Sequence, residues 1–576
     1  MENLKYTEIL KLNKSLAGTI DTKPYRIGIL SNVTINSFTE ILEYNCRIHQ
    51  IEPSIEIGNF DNIVQDSAVF SGKEMVIVFY ELLSIVDGLG IVFESITDAA
   101  FEALQQKLIS EIDIVLANLK NTPSVIFNLF SSAALPQKFT ASGKADILAD
   151  RLNQYLISQK TPNLSLIDNG KIVTQLGTKQ SFDFRFYYSS SAPYTVAFLK
   201  AYALAIQPVL LRNNGKLKKA LIFDCDNTLW SGIVGEDGIN GINYLKDSAK
   251  GKFFYAVQQL AAFYSTRGII IGLCSKNNPE DVEEILRNPA MVLNNDHIVI
   301  KKINWQDKAT NLRELAHDLN IGLDSIIFVD DSPFEVNLIK QQIPEILTLQ
   351  VPDNIADYPS LLQTCVQLYF NLELSTEDAA KTAMYKQQSQ RESAKSTYSN
   401  IEDYLSSLEI ALTVSENDTL QIPRLAQLTQ KTNQFNLTTK RYTEAQIEAF
   451  IQSGRDFIFA LHVKDKFGDS GLTGMCIVKT DGDKTAVIDT LLMSCRIIGR
   501  NIEFVFFNYV VRSLQEKGIE TIVADFVPTK KNAQVNHFYN NSGMQVQAEN
   551  EDGSKHYSLS ISAFHPKTFN YIGLVQ

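Results

Sequence analysis

No stretch of this chain stays apolar long enough to cross a bilayer; runs such as residues 75–80 and 91–93 are soon broken by charge. Its first residues, Met-Glu-Asn-Leu-Lys-Tyr-Thr-Glu, lack the apolar core of a secretion signal. Cysteine is sparse: six residues (46, 225, 274, 365, 476 and 495) are scattered through 576 positions, and none stand in C-x-x-C spacing. That pattern suits reduced thiols in a cytoplasm rather than a disulfide framework. The seven histidines are equally dispersed, which speaks against a zinc site. A basic excess is missing too, since the net charge is −12 and the pI is near 5.3. The short clusters Lys216-Leu-Lys218-Lys219 and Lys530-Lys531 read as solvated. The expectation is a cytoplasmic protein with no nucleic-acid partner and no membrane insertion.

What is present is ordinary globular material, 45% hydrophobic and 20% charged, without internal repeats or low-complexity tracts. The length is too great for one core, and three domains are expected: 1–212, 213–368 and 369–576. The most informative stretch is residues 220–232, Ala-Leu-Ile-Phe-Asp-Cys-Asp-Asn-Thr-Leu-Trp-Ser-Gly. An apolar run that reads as a buried strand ends in Asp224 and Asp226, which leave it on the same side because side chains alternate. Two close carboxylates repel unless a cation or a shared proton separates them, and hard oxygen ligands suit magnesium. One aspartate can attack phosphorus while the other gives and takes the proton.

This Asp-x-Asp-x-Thr element resembles motif I of the haloacid dehalogenase (HAD) superfamily, and the remaining stations follow in order. A second apolar run, residues 269–274, ends at Ser275, where motif II places a phosphate-binding hydroxyl. Lys308 opens a helical pattern and matches the motif III lysine. Residues 325–329 form another strand pattern that ends in Asp330-Asp331, similar to motif IV. The resemblance implies that Asp224 becomes an aspartyl phosphate and that Asp226 serves as general acid and then base. An acid at position 226 implies phosphoryl chemistry rather than dehalogenation. Ser275 and Lys308 would hold the transferring oxygens, with Thr228 and Asn277 in the substrate-binding set. Asp224, Asp226, Asp330 and Asp331 would form the Mg2+ site. One of the last pair would bind directly, Asp331 by preference, and the other through water or Lys308. The gaps between motifs, residues 229–274 and 276–307, leave no room for a large cap domain. Residues 245–264 read as a core helix.

Upstream, strand patterns at residues 25–31, 75–79 and 124–129 alternate with helical ones such as 100–116, which predicts a parallel α/β sheet. Ser31 resembles the first block of the SGNH hydrolases, with Leu-Ser-Asn in place of Gly-Asp-Ser. A serine nucleophile needs a histidine within reach, and the one candidate, His49, falls on the following helix. An SGNH-like α/β domain without catalysis is expected.

Downstream, residues 380–412 read as helical, and Ser389–Ser399 as a polar helix or linker. Strands follow at 457–463, 472–478 and 487–493, joined by turns that include Asp481-Gly482-Asp483. The third strand leads into Ser494-Cys495-Arg496-Ile-Ile-Gly499-Arg500-Asn501 and a long amphipathic helix, where free backbone amides can cradle a pyrophosphate. This order resembles the GNAT acyltransferases, whose R/Q-x-x-G-x-G/A loop binds coenzyme A; Asn501 replaces the final Gly or Ala. The resemblance implies an α+β domain in which Arg496, Gly499 and Arg500 bind substrate and Tyr539 protonates a departing thiol. Cys495 at the helix mouth is a candidate to carry an acyl group, with Cys274 and Cys225 as rivals; His537 reads as a surface residue.

Several motifs together are similar to the FkbH family across essentially the whole chain. They are Asp224-x-Asp-Asn-Thr-Leu-Trp-Ser-Gly-Ile-Val-Gly-Glu-Asp-Gly238, Cys274-Ser-Lys-Asn277, Asn304-Trp305, Val329-Asp-Asp-Ser-Pro333, Gln430-Lys-Thr-Asn-Gln-Phe-Asn436 and Ser494-Cys-Arg-Ile-Ile-Gly-Arg500. That resemblance implies an enzyme that takes 1,3-bisphosphoglycerate, removes phosphate and loads a glyceryl group onto an acyl carrier protein thiol. The other reading is a plain phosphatase of a phosphorylated small molecule in saccharide or surface-polymer synthesis, with the last domain as a specificity lid.

Overall fold

The structure, a computed structural model, describes residues 1, 4–86, 92–135, 142–159, 161–372, 384–388, 391, 398, 400–480, 484–529 and 531–575. The chain forms two compact units, Met1–Asn214 and Gly215–Gln576. Among the described residues, no helix is long and apolar enough to cross a membrane.

The first unit is a five-stranded parallel sheet made of β1 (Tyr25–Ser31), β2 (Pro53–Ile57), β3 (Met75–Phe79), β4 (Ser124–Leu129) and β5 (Leu164–Asp168), in the order β2-β1-β3-β4-β5. Every residue of β3 is buried, as a central strand with both faces covered requires. The helical pattern expected at 100–116 is the helix Asp98–Asn118. Ser31 ends β1, but its hydroxyl is locked in its own turn: it donates to Val33 O at 2.8 Å and accepts from Val33 N at 3.1 Å. His49 caps the far end of the helix Asn36–Ile48, about 20 Å along the axis from the Ser31 end. Ser31 and His49 therefore do not meet.

The second unit holds two sheets. The first contains β6 (Ala220–Phe223), β7 (Ile270–Ser275), β8 (Ile298–Ile303), β9 (Ile326–Asp330) and β10 (Leu347–Gln350), all parallel, in the order β10-β9-β6-β7-β8. The helix expected from residue 245 starts at Gly251, because Asn243 and Ser248 build a turn first: Asn243 Oδ1 accepts from Leu245 N and Ser248 Oγ. Residues 229–250 carry one short helix, Val234–Asp237, and no further domain.

The second sheet, α+β in character, comprises β11 (Ile410–Glu416), β12 (Phe435–Asn436), β13 (Phe457–Asp465), β14 (Gly468–Thr480), β15 (Thr485–Met493), β16 (Thr521–Phe526), β17 (Gln545–Glu549), β18 (Lys555–Ser560) and β19 (Ile572–Val575). The order is β17-β18-β16-β15-β14-β13-β11-β19, with β12 on β15. Helix Ile502–Glu516 packs its apolar face on this sheet. The helical expectation for 380–412 needs correction: helix is present at 384–388 and Ile401–Ser406, but Ile410–Glu416 is a strand. Its period is two: Ile410 and Leu412 are buried while Thr413 is exposed. The Asp481-Gly482-Asp483 turn lies outside the described residues, as does Ser389–Ser399 apart from Arg391 and Tyr398.

The basic clusters are not simply solvated. Lys218 Nζ donates to Asp324 O at 2.7 Å, and burial pushes its pKa down to about 8. Lys531 pairs with the Asp324 carboxylate, while Lys386 Nζ donates to Asn295 O and Asp296 O at 2.9 and 2.8 Å. Asn433 Nδ2 reaches Gly215 O at 3.3 Å. The Lys218 bond joins the lead-in residues of β6 and β9, while the Lys531, Lys386 and Asn433 links tie segments beside the second sheet to residues just before β9, β8 and β6, which is the N-terminal end of the parallel strands.

One buried acid in the first unit has a measurable consequence. Glu81, just past β3, accepts from Leu83 N and from the Tyr194 hydroxyl, and burial raises its pKa from 4.5 to about 7. An acid raised in this way contributes stability that is fully present below pH 4.5 and is lost as pH rises through 7. Denaturant melts should show this unit weakening by about 2–3 kcal/mol across that window, and Glu81→Gln should flatten the dependence. An unchanged pH slope in the variant would contradict the assignment.

Candidate active site

Every polar station of the parallel sheet sits at the C-terminal end of a strand, where open α/β sheets bind ligands. Asp224 follows β6 and is anchored through its N–H to Val329 O at 2.9 Å, so neighbouring β9 fixes its height. Ser275 ends β7, buried beside Asp224. Lys308 is the first residue of the helix Lys308–Asp318, capped by Asp307, whose side chain accepts from Thr310 N. Asp330 ends β9, and Asp331 follows on the loop into the helix Pro333–Gln342.

Lys308 is the hub. Its Nζ lies 3.0 Å from Asp224 Oδ1 and 2.6 Å from Asp330 Oδ2, with all three side chains almost wholly enclosed. Asp330 Oδ1 accepts from Ser332 N at 2.9 Å, so both of its oxygens are engaged. Asp224, Asp330 and Asp331 bring carboxylate oxygens within 4.8 Å of one another. Burial raises the Asp224 pKa to about 6, opposed by Lys308 and assisted by Asp330. Burial likewise raises Asp330 and Asp331. Burial works to lower the Lys308 pKa, but the two carboxylates outweigh it and the net shift is upward. Three carboxylates against one ammonium make a donor set that fits a hard divalent cation.

The carboxylate of Asp226 is not part of that cluster. Three N–H donors hold it: Trp230 Nε1 at 2.8 Å, Val234 N at 3.1 Å and Asn277 Nδ2 at 2.9 Å. Asn277 also reaches Ser275 Oγ at 3.4 Å and so links the two motifs. The expectation that the Asp226 carboxylate joins the metal ligands therefore finds no support in the geometry, because its oxygens are directed to these donors. Thr228 is fully buried, with a hydroxyl that has no partner. Trp230 was legible as part of the motif but not as the residue that aims Asp226. The ion pair Lys276–Glu335, 2.8 Å, joins the motif II and motif IV loops and carried no sequence signal.

The second sheet places the remaining candidates differently. Cys495 begins the single turn Cys495–Ile497, and its side chain lies outside the described residues. Arg496 and Arg500 turn inward. Arg496 contacts Met384 Sδ and Ser494 Oγ, while Arg500 pairs with Asp465 at 2.9 Å and donates to Gln388 Oε1 at 3.0 Å. Asp465 is also held bidentately by Arg391. Gly499 has φ +81° and is exposed, and Asn501 at φ +64° caps the following helix. Tyr539 is buried in the apolar core with an unpartnered hydroxyl, and burial raises its pKa strongly; His537 is exposed. The rival thiols Cys225 and Cys274 are buried, with pKa raised by desolvation, which keeps them protonated and unreactive.

No family model matches the chain, and no curated protein sequence matches it. Among solved structures, the chain is similar to the N-terminal part of a Bacteroides fragilis protein containing a phosphatase domain, complexed with Mg. That match has 24% identity and a TM-score of 0.57, and it covers 64% of this chain and all of that one. At this identity it shows the fold of the α/β portion. The Escherichia coli ribosomal-protein-S18-alanine N-acetyltransferase matches at 15% identity and TM-score 0.21, covering 27% of this chain and 99% of that one. A Streptococcus pneumoniae acetyltransferase of the GNAT family matches at 12% and 0.22, covering 26% and 98%. TM-scores this low are too small to carry a fold assignment.

The crowded carboxylates predict opposite effects of one substitution. Asp331→Asn should raise the melting temperature of metal-free protein slightly, because it removes like-charge repulsion. The same change should weaken the stabilisation by magnesium chloride about tenfold or more in apparent affinity. Thermal shift titrations decide it, and a full magnesium response in Asp331→Asn would exclude that residue as a ligand.

Proposed function

We propose that this chain is a magnesium-dependent phosphotransferase of HAD type, coupled to acyl transfer as in the FkbH family, with an SGNH-like first domain that is not catalytic. The observation that carries the reading is Lys308 held between Asp224 and Asp330, with Asp331 and Ser275 alongside, at the C-terminal ends of parallel strands. The likeness in fold to a structure containing a phosphatase domain complexed with Mg supports it. Asp224, Asp330 and Asp331 would hold Mg2+, which supplies charge neutralisation for phosphoryl oxygens and nucleophile when bound.

In this reading an Asp224 oxygen attacks phosphorus, the bond to the leaving oxygen breaks, and Asp226 passes that oxygen a proton. Water then attacks the aspartyl phosphate, Asp226 takes up its proton, and phosphate leaves with Asp224 restored. Ser275 and Lys308 bind the phosphoryl oxygens throughout; positioning and charge supply most of the catalysis. Trp230 and Asn277 keep Asp226 oriented.

We assign the acyl half to the GNAT-like region 369–576, with 1,3-bisphosphoglycerate as donor and a carrier-protein thiol as acceptor. The polar ties of Lys386, Asn433 and Lys531 at the N-terminal end of the parallel strands favour two separate centres over a lid on the phosphatase. A second reading, a phosphatase of a metabolite in saccharide or surface-polymer synthesis, draws support from the internal engagement of Arg496 and Arg500.

Asp224→Asn should abolish phosphate release, by about 10³-fold or more, while leaving the melting curve close to wild type. Cys495→Ala should keep phosphate release and lose carrier loading. Turnover that survives Asp224→Asn would remove the proposed mechanism, and loading unchanged in Cys495→Ala would exclude covalent capture at that thiol.

A further inference from the structure

The loops that leave the C-terminal ends of β6, β8 and β9 each expose a large apolar side chain: Ile233, Trp305 and Phe334. Trp305 is 71% exposed and Phe334 70%, whereas the other tryptophan of the chain, Trp230, is fully buried. Single exposed apolar residues need no explanation, but these three stand beside the strand ends that carry Asp224, Ser275 and Asp330.

Trp305 is exposed and yet held in place. Asn304 N donates to Ser275 O at 3.2 Å, which ties its loop to the end of β7. Asn304 and Asn311 exchange side-chain hydrogen bonds of 3.0 and 2.8 Å, and Gln306 N donates to Asn304 Oδ1 at 3.0 Å. Asp307 then caps the helix that Lys308 opens. The indole Nε1 donates to Asn278 Oδ1 at 3.2 Å, in the loop after Ser275. Asn278 Nδ2 donates to Asp281 Oδ2 at 3.1 Å, which keeps the carbonyl end of that amide for the indole. Three residues of chain reach at most about 11 Å, so Asn278 anchors the ring within about a nanometre of the motif II hydroxyl. An indole ordered in this way loses side-chain freedom and gains little burial, which marks a surface made for a ligand.

The charge nearby is already met. Lys276, next to Ser275, pairs with Glu335 at 2.8 Å, and Phe334 adjoins Glu335, so the second exposed ring stands beside the same loop. A lysine engaged in this way favours a neutral group over the indole rather than a second anion.

We propose that Trp305 is a specificity-determining residue of the phosphotransferase site and seats the neutral organic part of the phosphate ester. That part presents a face of C–H bonds about one ring in size, within about a nanometre of phosphorus. The inference rests on the HAD-type reading above and names the substrate class of that same site. Two sources offer this chemistry: the ring of a hexose phosphate, and the chain of a thioester that bears a phosphoglyceryl group after acyl transfer. The P–O bond of a monoester breaks in both.

Removal of an exposed ring keeps the fold, so Trp305→Ala and Trp305→Phe test the assignment in the full chain with magnesium. Phosphate release is measured from glucose 6-phosphate, from the N-acetylcysteamine thioester of 3-phosphoglycerate, and from glycerol 3-phosphate, which is too short to cover the indole. Trp305→Ala should raise KM about tenfold for the preferred of the first two, with kcat within about twofold, and by about twofold or less for glycerol 3-phosphate. Trp305→Phe should recover most of the loss. In Asp224→Asn the preferred ester should shield Trp305 from iodide quenching, to which the buried Trp230 does not contribute. Preference for the glucose ester identifies a saccharide as the source, and preference for the thioester identifies a loaded acyl group. An equal loss for all three esters, a loss confined to kcat, no shielding, or a wild-type preference for glycerol 3-phosphate would overturn the role of Trp305 and leave the phosphotransferase reading standing. No phosphate release from any ester by the wild-type protein would overturn both.

Discussion

One lysine stands between carboxylates that could not otherwise share a dry pocket. Two unit charges 4 Å apart interact by about 4 kcal/mol at an effective dielectric of 20, and three carboxylates crowd the end of this sheet. Lys308 contacts both Asp224 and Asp330 but supplies a single positive charge, which leaves the cluster net negative. The pocket is therefore suited to receive positive charge; burial raises Asp224, Asp330 and Asp331, and neighbouring carboxylates add to the shift. In the proposed function, a bound cation would remove this repulsion and leave Lys308 and Ser275 to face phosphoryl oxygens.

The rest of the second unit is arranged around keeping that end of the sheet clear. Short parallel strands raise Asp224, Ser275 and Asp330 to one rim, whereas Lys386 and Lys531, from segments beside the second sheet, act at the other end of the strands. A five-residue strand spans about 16 Å, so these links lie well away from the carboxylate rim.

The polar stations of the parallel sheet were legible because each is punctuation: an apolar run that ends in Asp224, Ser275 or Asp330 has few other readings. Lys308 was legible because a helix begins with it. What escaped the sequence depended on contacts distant along the chain. The direction of Asp226 is set by Trp230, Val234 and Asn277 together. Arg496 and Arg500 looked free for phosphate because their partners, Met384, Gln388 and Asp465, stand far from them in sequence. The strand Ile410–Glu416 was hidden at the end of a helix-forming stretch, where only Ile410, Leu412 and Val414 carry its period. β12 is two residues long, too short for any periodicity to announce it.

The account turns on Asp224 as the atom that receives phosphorus. The most direct measurement is rapid-quench intact-protein mass spectrometry after mixing with magnesium and 1,3-bisphosphoglycerate, with peptide mapping of any hydroxylamine-labile increment. A phosphoryl adduct on Asp224 that forms and decays within turnover is the result predicted. Phosphate release with no adduct on Asp224 at any quench time, or an adduct mapped to another residue, would contradict it.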